Sequence, residues 1–92
     1  MKFEWDEAKC KANVRKHGID FVDASQVFAG EFVVIEDERC DYGELRFIAF
    51  GLLFGEVVVV AYTTPNDDTV RVISMRKATT SEARNFFRHI SN

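Results

Sequence analysis

The chain holds few residues suited to metal or redox chemistry. Its two histidines, His17 and His89, lie far apart, and Cys10 and Cys40 have no metal-ligand spacing. No metal site is therefore expected, and the cysteines read as free thiols of a reducing compartment rather than a bridge. There is no Gly- and Lys-bearing phosphate loop, no nucleophile elbow and no HExxH. No cofactor is expected. The longest apolar run, Val57 to Tyr62, falls far short of the roughly 20 residues a membrane-crossing helix needs. The N-terminus also lacks the basic-then-apolar order of a signal peptide, so a cytoplasmic protein without membrane association is expected. Low-complexity runs and internal repeats are missing too, which leaves one folded domain over 1–92. Nor is there a basic excess: the net charge of −3 argues against indiscriminate nucleic-acid binding and leaves room only for a focused site.

What is present is segregated charge. Lys9, Lys11, Arg15 and Lys16 form an acid-free stretch, whereas Glu36, Asp37, Glu38, Asp41 and Glu44 surround Arg39. From Arg71 to the end, five basic residues stand against one acidic residue, a local charge of +4. That segment alternates as a strand, with Val70, Val72 and Ser74 expected on one face and Arg71, Ile73 and Met75 on the other. Thr79 and Glu82 then have the spacing of a capping box. Ala83, Phe86, Phe87 and Ile90 follow at i, i+3, i+4 and i+7, an apolar helical stripe that would lie back on a sheet.

Upstream, Phe3 and Trp5 suggest a short edge strand, and Asp6 reads as the N-cap of a helix over Ala8 to His17 that Gly18 ends. Trp5, Ala8 and Ala12 would form its packing face. Asp20 would cap a second helix carrying Phe21, Ala24, Val27 and Phe28, with Gly30 as its stop. Strands are expected at Phe32 to Ile35, Leu45 to Leu53, Val57 to Thr64 and from Thr69, with turns at Phe54-Gly55-Glu56 and Pro65-Asn66-Asp67-Asp68. The short links predict an antiparallel meander with helices packed against one face, an α+β architecture.

The residues that could carry chemistry are cations (Lys16, Arg46, Arg71, Arg76, Lys77 and Arg84) and three groups able to move a proton: His17, Glu44 and Asp41. Such a set suits phosphodiester cleavage by an internal RNA 2′-hydroxyl, where cations stabilise the phosphorane charge without a metal. Each has a structural alternative. His17 beside Gly18 could simply complement a helix C-terminus. Arg46 and Arg71 sit among apolar neighbours and are either paired with an acid or open to a groove. Arg84 and Arg88 fit a solvated helix face.

FEWDEAKCKANVRKHGIDFVDASQVF at Phe3 to Phe28, GELRF at Gly43 to Phe47 and VRVISMRKAT at Val70 to Thr79 together resemble the BrnT toxins of type II toxin–antitoxin pairs. The resemblance implies a RelE-like α+β fold: a short N-terminal strand and two helices, an antiparallel meander of three to four strands, and a C-terminal helix on the sheet. It also implies a metal-independent endoribonuclease that inhibits growth by cleaving cellular RNA. A BrnA-like antitoxin would cover the active face and supply DNA binding, so the chain alone would bind no DNA. Carried over by motif, the site comprises Lys16 and His17, Glu44 and Arg46, and Arg71, Arg76 and Lys77. Glu44 or His17 would be the base, and Lys16, Lys77 and Arg84 would hold phosphates. The chain departs from the family pattern at Thr63-Thr64-Pro65-Asn66, where a basic residue is common, and at Phe86 and Phe87, where an aromatic hydroxyl is common. A Phe donates no hydrogen bond, which favours the alternative of a catalytically weak module that binds antitoxin or RNA without cutting.

Overall fold

The computed structural model describes residues 1–39 and 41–91, so Cys40 lies outside the described residues. Among them the chain forms β1 (Lys2–Glu4), α1 (Glu7–His17), a 3₁₀ turn (Phe21–Asp23), α2 (Ala24–Ala29), β2 (Phe32–Glu36), β3 (Phe47–Leu53), β4 (Glu56–Asn66), β5 (Thr69–Lys77) and α3 (Thr80–Ile90). The sheet order is β1-β5-β4-β3-β2. β1 joins parallel to β5, and every other pairing is antiparallel. This is the expected α+β fold.

The helix ends follow their caps. Asp6 accepts from the Lys9 N–H at 3.0 Å, and Asp20 from the Val22 N–H at 3.0 Å. Gly18 takes a left-handed φ of 71° that a side chain would resist. At α3 the full capping box forms between Thr79 and Glu82. The β3–β4 turn uses Phe54 at φ 51° and Gly55 at φ 81°, so Glu56 already belongs to β4. β4 also runs on through Pro65 and Asn66, which were expected in the turn; the register is irregular between Thr63 and Asn66, where a missing N–H is tolerated.

Three expectations fail for packing reasons. Helices cover both faces, not one. α1 and α2 lie over Ala49, Val60, Val72 and Met75, all buried, whereas α3 lies against Val33, Ile35 and Phe50 on the opposite side. Second, Ala8 and Ala12 are exposed, and α1 buries Cys10 and Asn13 instead. The third concerns β5. Ala61 pairs with Ser74, but Tyr62 pairs with Val72, so Ile73 is an extra residue, a bulge. It inverts the alternation beyond it: Met75 joins Val70 and Val72 in the core at 0% exposure, and Ser74 moves to the face of Arg71. On α3, Phe86 is buried at 2% while Phe87 stays 45% exposed, because only the centre of the stripe reaches the sheet.

Candidate active site

The bulge decides which cations share a face. Arg71 and Arg76 are five positions apart, a spacing that in a regular strand would put them on opposite faces. With Ile73 extra they share the α3 face: Arg71 pairs with Thr63 and Arg76 with Val59. Four residues of β4 separate those levels, roughly 13 Å. Arg46 belongs to the same face. Phe47 pairs with Tyr62, so continuing the register by one residue sets Arg46 opposite Thr63. Thr63, buried at 4%, thus lies between Arg71 and Arg46, which are two strand spacings or about 10 Å apart.

Arg71, Arg76 and Arg39 each hold a carboxylate. Arg71 Nη2 is 2.9 Å from Glu4. Arg76 makes a bidentate pair with Glu82, Nη1 to Oε1 at 2.8 Å and Nη2 to Oε2 at 2.9 Å. Its hydrogen bonds raise the Arg76 pKa and hold Glu82 down at about 2. Arg39 donates to the buried Asp37 from Nε at 2.7 Å and from Nη2 at 2.8 Å, and these bonds hold Asp37 far below the usual carboxylate range. Arg39 is close enough for its charge to oppose that of Arg76. The loop between β2 and β3 therefore delivers a fourth guanidinium. Sequence reasoning missed it because Arg39 was hidden among acids; the signal was its spacing to Asp37.

Arg46 is held differently. Its Nε is 3.7 Å from Glu44, too long for a hydrogen bond, and this buried nitrogen has no hydrogen-bond partner among the described residues. Its guanidinium carbon instead lies 3.9 Å over the Tyr42 ring, whose hydroxyl donates to Asp37 at 3.1 Å. Tyr42 was also missed. It places a phenol beside the arginine cluster, on a loop and not on the last helix. Phe86, where the hydroxyl was sought, is the buried anchor of α3.

The remaining candidates do not join the arginines on this face. Lys16 is exposed and His17 half-buried in the last turn of α1, in the layer across the sheet from Arg76. Lys77 alternates onto that side too. It pairs with Glu56 at 3.3 Å and shares a cavity of about 240 Å³ with Gly18 and Phe54. Arg84 is exposed on α3. Asp41 accepts from the Gly43 N–H at 2.9 Å and shapes the loop. Cys10 is a free buried thiol that donates to Asp20 at 3.3 Å, and burial pushes its pKa up. Among the described residues no group of three or more His, Cys, Asp or Glu could hold a metal ion.

An arginine cluster on a small five-stranded sheet is thus the geometry to compare with known proteins. The search of curated protein sequences returns no match. Residues 5–82 match the family model described as ribonuclease toxin, BrnT, of type II toxin-antitoxin system. The chain is also similar to the crystal structure of the Brucella abortus ribonuclease toxin, BrnT. The two are 33% identical with a TM-score of 0.72, over 87% of this chain and 99% of that one. The match spans the KHG corner, the Glu44–Arg46 segment and the Arg71–Lys77 strand together, and the chain belongs to the BrnT family of ribonuclease toxins of type II toxin–antitoxin systems.

Proposed function

We propose that this toxin cuts RNA internally and without a metal, on the α3 face of its sheet. The observation that carries the reading is Arg46: a buried guanidinium Nε without a hydrogen-bond partner among the described residues, fixed on Tyr42 within a cluster of arginines. A buried donor left unmatched costs about 1–3 kcal/mol, and a phosphate oxygen would satisfy it.

In this reading Arg46 and Arg76 clasp the non-bridging oxygens of the scissile phosphate, with Arg71 and Arg39 beside them. The 2′-oxygen attacks phosphorus, and its proton passes to Glu44, next to Arg46. The P–O5′ bond breaks and the leaving 5′-oxygen takes a proton from water, giving a 2′,3′-cyclic phosphate and a 5′-hydroxyl end. Fixed cations stabilise the charge that builds on the phosphorane without having to reorganise. His17 lies across the sheet and takes no part in this step. Lys16 and Lys77, on the same side of the sheet as His17, would meet the continuing RNA backbone once Lys77 leaves Glu56, and Arg84 would extend the contact along α3. The partner would be a BrnA-like antitoxin whose acidic groups replace the RNA phosphates, and the setting is the cytoplasm, where the substrate is.

The test is partner-free protein incubated with end-labelled RNA in excess EDTA, with Arg46→Ala and Arg76→Ala beside it. The expected result is cyclic-phosphate ends from the wild type and loss of at least a hundredfold in rate for each variant. Cleavage that persists in both folded variants would move the site elsewhere. A binding module is the second reading, favoured by the pairing of Arg39, Arg71 and Arg76 with carboxylates. Binding of RNA without cleavage, on free RNA and on ribosomes alike, would establish it.

A further inference from the structure

We propose that Asn13 is a positioning residue that sets Arg76 on the active face; the inference rests on the reading that Arg76 contacts the scissile phosphate. Asn13 is one of two buried residues of α1 and the polar one, at 6% exposure. Its amide nitrogen donates to the carbonyls of Ile19 and Met75, each at 2.9 Å, and its oxygen accepts from the Met75 N–H at 3.1 Å. Both amide hydrogens are used. One side chain thus ties the corner after Lys16 and His17 to β5, 62 positions away.

The geometry explains why an amide stands there. β1 covers β5 only as far as Arg71, which pairs with Glu4, so beyond the bulge that edge of β5 has no neighbouring strand. Met75 directs both its N–H and its C=O to this open edge. In an antiparallel ladder, residues alternate between exchanging both bonds and exchanging none. The Met75–Val60 pair is therefore the non-bonded kind, and Arg76 faces Val59 in the bonded phase. A carboxamide presents a donor and an acceptor side by side and so matches a backbone N–H and C=O at once. Asn13 takes the place of a continued β1 for one residue. A slip by one position would send Met75 out of the core and Arg76 into it. The clamp holds the register one residue beyond the bulge, where the alternation has just inverted, and so fixes where the Arg76 guanidinium emerges.

Four proteins test this: wild type, Asn13→Ser, Arg76→Ala and the double variant, each assayed well below its own unfolding midpoint. Asn13→Ser places a small hydroxyl at the site, which can still satisfy a backbone group there and so protects folding. Single-turnover RNA cleavage should slow by roughly ten- to a hundredfold in Asn13→Ser, the cost of about 1 Å of misplacement. It should slow no further when the change is made in Arg76→Ala. Equal slowing in both backgrounds, or none, would overturn the proposal. A second readout needs no catalysis: the Arg76 Nη protons, held by bidentate Glu82, should give separate slowly exchanging NMR signals that shift or merge in Asn13→Ser. If wild type cuts no RNA, the functional reading falls, and this signature still decides the positioning role. Unchanged Arg76 signals in a folded Asn13→Ser protein would rule it out.

Discussion

Glu82→Gln separates two jobs of one side chain. Glu82 accepts from the Thr79 N–H at 2.9 Å, closing the capping box, and holds Arg76 in a bidentate pair. A glutamine can still accept at the cap through its one remaining oxygen, so the charge and the second bond to Arg76 are what is lost. Its carboxyl is held at about 2 in the folded protein against an ordinary 4.5. At about 1.4 kcal/mol per pH unit, that difference of 2.5 sets a ceiling of about 3.4 kcal/mol. Because Glu82 is 27% and Arg76 40% exposed, solvent screening reduces this to about 1 kcal/mol at pH 7. The folded pKa is depressed, so the stabilisation is present above about 4.5 and is lost as pH falls toward 2. Thermal unfolding of both proteins at pH 7 should show the variant melting about 4–8 °C lower, and the gap should close between pH 4.5 and 2. Asp37 titrates alike in both proteins and cancels. Equal midpoints at pH 7, or a gap that persists at pH 2, would refute the argument. In the same variant Arg76 loses its competitor for phosphate, so RNA affinity should rise and its logarithmic salt slope should steepen by about 0.7.

Three further substitutions check the packing. A Cβ at Gly51 would lie 2.7 Å from Val27 Cγ1, a stiff side chain wedged under α2; Gly51→Ala should cost about 1–3 kcal/mol in urea unfolding. Phe54→Asn should stabilise by about 0.5–1 kcal/mol, because φ is 51° there and the ring is 77% exposed; a lower denaturation midpoint would contradict it. Phe86→Ala removes the single fully buried anchor of α3 and should cost about 3–4 kcal/mol, with amide exchange rising first along Thr80–Ile90.

The elements and their ends were legible in the sequence because their causes are local. Asp6, Gly18, Asp20 and the Thr79–Glu82 pair act within one turn of chain, and the β-branched runs carry their strand preference with them. The family was legible as well, since KHG, GELRF and the Arg71–Lys77 strand are contiguous stretches that can be read without the fold. The assembled site was not. One bulge at Ile73 reversed the faces of Ser74 and Met75, and no periodicity announces a residue that the ladder skips. Asn13 lies off the packing face expected from Trp5, Ala8 and Ala12, and its role came only when the fold placed Met75 against it. Arg39 and Tyr42 joined the site only through their contacts with Asp37 and Arg46, while Lys16, His17 and Lys77 were left on the other side of the sheet. Local preference fixes what each segment becomes. Which side chains share a face depends on register and loop path, and these are settled only when distant segments compete for the same backbone bonds and the same core.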